Sequence, residues 1–142
     1  MKVRDVMTEK PIHIHKDETV AVAARTLTHY NIGAVPVCDG NGRLCGMVTD
    51  RDMVTRCLAA GKDPERTPVC DVMTGGVITA MPDMMAAEAA SLMGAKQIRR
   101  LPVVENGRLC GIVSLGDLAV NQQSDAQAGA ALSQISSNVS VR

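Results

Sequence analysis

Two short segments of the chain pair a hydroxyl residue with an aspartate three positions later, Thr49 with Asp52 and Ser114 with Asp117. This spacing is typical of a capping box, in which the hydroxyl and the carboxylate accept hydrogen bonds from backbone amides at a helix start. Free amides at a helix start also attract phosphate, and a short carboxylate can accept hydrogen bonds from both hydroxyls of a ribose. Capping and nucleotide binding therefore stay open as alternatives, and one turn can do both.

The two segments occupy matching places in a sequence that is written twice. The hexapeptide Asn41–Gly46 recurs letter for letter as Asn106–Gly111, and residues 3–8 align with residues 69–74. A self-match at fixed spacing predicts two copies of one structural unit, closing on each other as a pseudo-twofold pair. We expect the first copy at residues 1–60, a linker at 61–68, the second copy at 69–120, and a partly helical tail at 121–142.

Hydrophobic periodicity and turn residues predict the order β-α-β-β-α in each copy, so the fold class is α/β (α+β) with a small mixed sheet in each unit. In the first copy the predicted elements are a strand at 11–15, a helix at 19–30 capped by Asp17 or Thr19, strands at 35–38 and 44–48, and a helix at 49–59. In the second copy they are a strand at 77–80, a helix at 84–96, strands at 101–105 and 108–114, and a helix from 115. In the tail, residues 125–136 are predicted to form a weak helix.

The two copies differ in positive charge near these turns. Arg99 and Arg100 precede the second strand of the second copy, whereas Gly33 and Ala34 hold the matching positions of the first. Two exposed arginines at a helix end also suit the negative end of the helix dipole. If the turns bind a phosphorylated ligand, the phosphate should prefer the second copy, unless Arg51 supplies the missing charge in the first.

Composition excludes several function classes. The 142 residues carry no net charge, which argues against nucleic acid or an anionic membrane as the main partner. No apolar run approaches the roughly 20 residues of a membrane span, so we expect a cytoplasmic protein. The sequence holds no P-loop, no G-x-G-x-x-G and no G-x-S-x-G motif, and no Cys or Ser is visibly placed with a His base. We therefore expect no catalytic residues and no enzymatic activity.

For three further groups of residues we favour a structural role over a redox, metal-binding or cofactor-binding one. The five cysteines include no C-x-x-C pair and are expected to be reduced, buried apolar residues. His13 and His15 share a strand face, but two ligands do not make a metal site, so no metal is expected. The methionines at 81, 84, 85 and 93 are expected to lie in the core or in a dimer interface.

The order of motifs resembles the cystathionine beta-synthase (CBS) domain, here as a tandem pair covering residues 1 to about 120. The shared motifs are Val-Met-Thr at 6–8 and 72–74, Pro-Val at 36–37 and 102–103, and Gly-x-x-Thr/Ser-x-x-Asp at 46–52 and 111–117. The chain is most similar to short stand-alone CBS proteins, the group that includes hypoxic-response proteins. The resemblance implies a β-α-β-β-α fold, a homodimer, and an adenosyl ligand (AMP, ADP, ATP or S-adenosylmethionine) in the cleft between the two copies.

The resemblance also assigns roles. It implies that Asp52 and Asp117 hold the ribose, that Thr49 and Ser114 face ribose or phosphate, and that Arg100 reaches phosphate. Adenine recognition through backbone groups is implied for the first strand and the segment before Pro-Val. The candidate ligand-binding residues are therefore Ile14, Ala34, Val35, Thr49, Arg51, Asp52, Thr79, Arg99, Arg100, Ser114 and Asp117.

Two functions from different classes follow. The first is a non-enzymatic regulatory sensor that requires no cofactor, takes an adenine nucleotide or S-adenosylmethionine as its regulatory ligand, and signals to an unidentified protein partner. The second is a ligand-free structural or protein-interaction module that acts through dimerisation. The tail from Asn121 onward lies outside the repeat and supports the second function.

Overall fold

The computed structural model describes residues 1–119 and Ile135, and the helix predicted at residues 125–136 therefore lies outside the described residues except at Ile135. The chain divides into two compact units. The Asp52 unit consists of Ile12–Val77 and Gly107–Leu109. The Asp117 unit consists of Met1–Pro11, Ile78–Asn106 and the chain from Cys110 onward. The first residues of the first copy thus belong to the unit formed by the second copy.

A three-stranded mixed sheet forms the centre of the Asp52 unit, in the order β2-β3-β4. The strands are β2 (Ile14–His15), β3 (Ala34–Cys38) and β4 (Leu44–Thr49); β2 is parallel and β4 antiparallel to β3. Helix α1 (Val20–Tyr30) connects the two parallel strands, which agrees with the predicted β-α-β order and mixed sheet. Its cap is Thr19, whose side chain accepts a hydrogen bond from the Val22 amide, and not Asp17.

The first strand of each copy is shorter than predicted. Ile14 pairs with Val37, so the residue before it would face Pro36, which has no N–H to donate. The strand predicted at 77–80 is reduced to a single parallel bridge between Ala80 and Val103, beside Pro102. The Pro-Val motif of each copy thus limits the pairing of the neighbouring strand, and the strands predicted at 11–15 and 77–80 are wrong in extent.

The helix after β4 begins where predicted but changes type after one turn. Helix α2 covers Asp50–Asp52 and continues as a π-helix over Met53–Leu58. The Ala59 amide accordingly donates to the carbonyl of Val54 at 2.8 Å. Short π-helical stretches are frequent at functional sites. The helix predicted at 49–59 is therefore confirmed, and its second half is a π-helix.

The Asp117 unit contains a sheet in the order β1-β6-β5. Its elements are β1 (Thr8–Glu9), α3 (Ala86–Lys96), β5 (Arg100–Glu105), β6 (Arg108–Ser114) and α4 (Leu115–Ala119). The sequence did not predict β1, which pairs antiparallel with Gly111 and Ile112 of β6. The tight turn before β6 has positive φ at both Asn106 and Gly107, the conformation that an Asn-Gly pair predicts.

Each unit has its own aliphatic core. In the Asp52 unit the core includes Ile14, Val20, Leu27, Val35, Val37, Val48, Met53 and Val69. In the Asp117 unit it includes Val3, Ala90, Met93, Leu101, Val103, Val113, Leu118 and Ile135. Of the four methionines singled out from the sequence, Met93 is fully buried, whereas Met81 and Met85 are exposed. None of the helices within residues 1–119 has the length and apolar character needed to cross a membrane.

The cysteines are all free, as expected, but their burial differs from the prediction. Cys38 and Cys57 are buried, whereas Cys45, Cys70 and Cys110 are only half-buried. Burial raises the pKa of the Cys38 thiol to about 11, with smaller contributions from Cys45 and Asp39. The Cys110 pKa is also raised, chiefly by burial. Both thiols therefore stay protonated at neutral pH, which makes them poor nucleophiles.

Candidate functional site

Each unit contains one of the two hydroxyl-aspartate turns, at the junction of a strand and a helix. In the Asp52 unit, the Thr49 amide donates to Asp52 Oδ2 and the Asp52 amide donates to Thr49 Oγ1, both at 3.0 Å. In the Asp117 unit, the Ser114 amide donates to Asp117 Oδ2 at 2.9 Å and the Asp117 amide to Ser114 Oγ at 3.1 Å. Both turns are reciprocal capping boxes, which confirms the capping prediction.

The boxes use one oxygen of each carboxylate and leave the other facing away from them. Asp117 Oδ1 makes no hydrogen bond or ion pair with any residue of the described chain. Asp52 Oδ1 lies 4.0 Å from Arg56 Nε, with the Asp52 side chain 12% exposed. The capping bonds hold both carboxylates in a fixed orientation.

Sequence reasoning missed Arg56. Its Nη1 donates to the carbonyl oxygens of Met73 at 3.1 Å and Val72 at 3.4 Å, while its Nε faces Asp52. The signal in the sequence was the four-residue spacing of Asp52 and Arg56, which places the two side chains on one helix face. The matching position of the second copy holds Asn121, which lies outside the described residues.

A backbone hydrogen bond joins each turn to the residue that directly precedes β3 or β5. The Asp50 amide donates to the Gly33 carbonyl at 3.1 Å, and the Leu115 amide donates to the Arg99 carbonyl at 3.0 Å. These bonds make Gly33 and Arg99 equivalent in the structure as they are in the sequence. In the first copy Ala34, the residue after Gly33, pairs directly with Thr49 and so lies at the same end of the sheet as the turn.

The backbone amides at the helix start differ between the two units. The amides of Asp50 and Asp52 donate to Gly33 and Thr49, and the Arg51 amide donates to Asp50 Oδ1 at 2.8 Å. All three amides of α2 are therefore occupied. In the Asp117 unit Leu115 stands in place of Asp50 and offers no acceptor, and the Gly116 amide has no hydrogen bond to any described residue.

The other predicted site residues fall into two groups. Arg51, Arg99 and Arg100 are exposed, and Arg100 is the first residue of β5. Ile14 and Val35 are buried, with 4% and 0% of their surface exposed, while Ala34 and Thr79 are half-buried. The structure therefore groups Ile14, Ala34, Val35, Thr49, Arg51 and Asp52 in one unit, and Thr79, Arg99, Arg100, Ser114 and Asp117 in the other.

The histidine pair of the first strand has local contacts. His15 Nδ1 accepts a hydrogen bond from the Asp17 amide at 3.1 Å and lies 3.7 Å from Asp17 Oδ2. Within the part of the chain that the structure describes, no group of three or more His, Cys, Asp or Glu side chains is arranged to hold a metal ion.

Comparison with known proteins gives the two copies a common match. The CBS domain family profile matches residues 3–59 and again residues 69–122. The CBS domain-containing protein YhcV of Bacillus subtilis is 45% identical over 134 residues, which cover 94% of each chain. The resemblance drawn from the motifs is confirmed.

Solved structures agree with the fold. Hypoxic Response Protein I, solved with two coordinated zinc ions, superposes with a TM-score of 0.78 at 34% identity, covering 85% of this chain and 98% of that one. The CBS domain pair of protein MJ0100, in complex with 5′-methylthioadenosine and S-adenosyl-L-methionine, gives 0.71 at 30% identity over 84% and 94%. CBSX2 in complex with AMP gives 0.72 at 28% identity over 82% and 91%.

Proposed function

This chain belongs to the CBS domain family, and from that premise we propose that it is a non-enzymatic regulatory sensor for an adenosyl ligand. The ligand binds at the turns that carry Asp52 and Asp117, and a protein partner responds to the occupied state. The protein acts in the cytoplasm and needs no cofactor. The observation that carries the proposal is the duplicated carboxylate with one oxygen fixed by a backbone amide and the other facing away.

Ribose recognition follows from this geometry. The two neighbouring hydroxyls of a ribose are hydrogen-bond donors, and an ionised carboxylate is an acceptor without a donor of its own. Hydrogen bonds to a charged acceptor are about twice as strong as neutral ones. Because the capping box already holds Asp52 and Asp117 in place, little side-chain entropy is lost when a ribose binds.

Adenine recognition uses the backbone groups of the adjoining segments. In the Asp52 unit these are the groups of Ile14, Ala34 and Val35, and in the Asp117 unit those of Thr79 and Arg100. The relatives solved with AMP and with S-adenosylmethionine support a ligand of this class. The exposed Arg99 and Arg100 favour a phosphorylated ligand at the second turn.

The response to the ligand starts at Asp52 and passes through Arg56. A ribose hydroxyl that donates a hydrogen bond to Asp52 Oδ1 competes with the Arg56 guanidinium, which also donates to the carbonyls of Val72 and Met73. A bound ligand therefore changes the contact between the π-helix and the segment that contains Val72 and Met73. Regulation of this kind needs the ligand to bind one conformation more tightly than another.

The protein acts as a homodimer in this proposal. Val54 and Leu58, four residues apart on the π-helix, are 55% and 58% exposed, and Met81 and Met85 are also exposed. Apolar side chains of this size on one helix face favour burial against a second copy. Sedimentation of the native protein should give twice the chain mass, and Leu58→Asp should shift it to the single chain. A native monomer would contradict the dimer.

Calorimetric titration of the native protein tests the sensor. We expect saturable binding of at least one of AMP, ADP, ATP and S-adenosylmethionine, and loss of that binding in the double variant Asp52→Asn/Asp117→Asn. Asparagine keeps an acceptor for the capping amides, so the variant should melt as the native protein does. No binding by the native protein at millimolar ligand would overturn the proposal.

The alternative function is a ligand-free interaction module, which the exposed apolar side chains also favour. Deletion of residues 121–142 distinguishes the two. A sensor whose site lies in residues 1–119 keeps its affinity for the adenosyl ligand after the deletion. An interaction module shows no adenosyl binding in either form, and loses its oligomeric mass or its protein partner with the tail.

A further inference from the structure

The start of α2 carries a carboxylate that has no counterpart at the start of α4. Asp50 and Leu115 are equivalent positions, because their amides donate to Gly33 and Arg99 at 3.1 and 3.0 Å. The Asp50 side chain is exposed, and its Oδ1 accepts the hydrogen bond of the Arg51 amide at 2.8 Å. Its Oδ2 lies over Gly33, since a Cβ added to that glycine would be 3.8 Å away.

The two turns therefore differ in charge. The first turn has a carboxylate at Asp50 and no side chain at Gly33, whereas the second has an apolar side chain at Leu115 and a cation at Arg99. Around the first turn, Arg51 and Arg56 offset Asp50 and Asp52, which leaves the segment without net charge. Around the second turn, Arg99 and Arg100 outnumber Asp117, which leaves it positive.

The arginines of the first turn do not replace the missing cation. Arg56 is engaged by Asp52 and by the carbonyls of Val72 and Met73, so its guanidinium is not free to follow a phosphate. Arg51 is exposed and follows Asp50 directly in the chain. The α2 amides are all occupied as well, so no backbone donor remains for an anion.

We propose that Asp50 makes the first turn select adenosyl ligands whose 5′ substituent is uncharged or cationic, such as a thioether or a sulfonium, while the second turn selects phosphate. This inference rests on the proposed function, in which Asp52 holds the ribose. A ribose is small, so its 5′ substituent stays within about 8 Å, the screening length at physiological salt, of a carboxylate two residues away. A phosphate at this position is repelled by the negative charge of Asp50, whereas a sulfonium is attracted by it.

The test isolates the first turn. In the background Asp117→Asn, which disables the second turn, the first turn is titrated with AMP, 5′-methylthioadenosine and S-adenosylmethionine, with and without Asp50→Asn. Asparagine keeps the Oδ1 acceptor for the Arg51 amide and removes only the charge. Asp50→Asn should raise the affinity for AMP about fivefold and lower the affinity for S-adenosylmethionine about fivefold, the effect of one exposed unit charge. The affinity for 5′-methylthioadenosine should not change.

Glu65→Gln is the matched control, because it removes one negative charge from the same unit at an exposed residue that pairs with Arg25. It should leave all three affinities unchanged. Raising the salt concentration should reduce the difference in affinity between AMP and 5′-methylthioadenosine in the Asp117→Asn protein, and should not reduce it once Asp50→Asn is added. Unchanged AMP affinity in Asp50→Asn, with 5′-methylthioadenosine still bound, would overturn the inference and leave the sensor function standing. Absence of all adenosyl binding by the native protein would overturn the sensor function itself.

Discussion

The turn at Asp52 and the turn at Asp117 have the same hydrogen bonds and different charges. Both hold an aspartate by a reciprocal capping box with distances of 2.9–3.1 Å, and in both the first helical amide donates to the residue just before β3 or β5. They differ at the residue after the hydroxyl, Asp50 against Leu115, and at Gly33 against Arg99. Backbone geometry constrains the residues that satisfy amides, whereas the exposed positions between them can differ without disturbing the turn.

The largest effect we expect comes from the glycines that precede the two turns. A Cβ on Gly46 would lie 2.4 Å from the Thr74 carbonyl oxygen, whereas on Gly111 its nearest atom, at 2.6 Å, is the flexible Met7 Sδ. Gly46→Ala should therefore cost about 3 kcal/mol of unfolding free energy and Gly111→Ala about 1 kcal/mol, the range seen for overpacked sites. Urea denaturation measures both.

Gly75→Ala is the control for the glycine pair, because its Cβ would meet only the Cys45 carbonyl at an ordinary 3.8 Å. It should change the unfolding free energy by less than about 0.5 kcal/mol. Equal costs at Gly46 and Gly111 would contradict the view that backbone approach is the stricter constraint in the first copy.

Arg56 provides the next difference, since it belongs to the first turn only. Arg56→Met removes two hydrogen bonds to carbonyls and the ion pair with Asp52, and should cost about 1 kcal/mol because the guanidinium is half-exposed. Arg66→Gln, at a side chain 88% exposed whose ion pair is with Asp63, should cost almost nothing in the same urea experiment. Similar small costs for both variants would remove Arg56 from the account of the first turn.

The smallest effect concerns the two hairpin turns and depends on pH. The amides of Arg43 and Asn41 donate to Asp39 and lower its pKa below the ordinary 3.8. A carboxyl with a lowered folded-state pKa adds stability above its unfolded pKa and loses that contribution as the pH falls through the folded value. The destabilisation by Asp39→Ala should thus be present at neutral pH and shrink below pH 3.8 in urea titrations.

The second hairpin turn serves as the reference for this pH dependence. Asn106→Ala removes a residue that favours positive φ. Because the asparagine side chain does not titrate, the loss of unfolding free energy should be the same at neutral and at acid pH. A cost of Asp39→Ala that stays constant down to acid pH would contradict the role of the ionised carboxylate in the first hairpin.

Much of the fold was predictable because its signals are local. The Asn106–Gly107 turn, the Thr19 cap and both capping boxes follow from residues within four positions of each other. Strand β1 was not predictable, because Thr8 and Glu9 pair with residues about a hundred positions away and carry no alternating pattern. The shortened strands follow from the missing amides of Pro36 and Pro102, which matter only once the register is known.

The site was predictable in its carboxylates and not in its electrostatics. The spacing of Thr49 and Asp52 was sufficient to identify the turn, because a capping box is defined by that spacing. Two other contacts depend on side-chain directions in the folded chain: Asp50 accepts the hydrogen bond of the Arg51 amide, and Arg56 donates to the carbonyl of Met73. The charge contrast between Gly33 and Arg99 was visible in the sequence, and Asp50 was the part that was overlooked.

The most direct test of the central claim is an AMP titration of Asp52→Asn and Asp117→Asn, each measured beside the native protein. Both variants keep an acceptor for the capping amide and lose the charged acceptor for the ribose. The account predicts that Asp117→Asn lowers AMP affinity at least about tenfold, the value of a hydrogen bond to a charged group, and that Asp52→Asn lowers it far less. Equal losses in the two variants, or no loss in either, would contradict it.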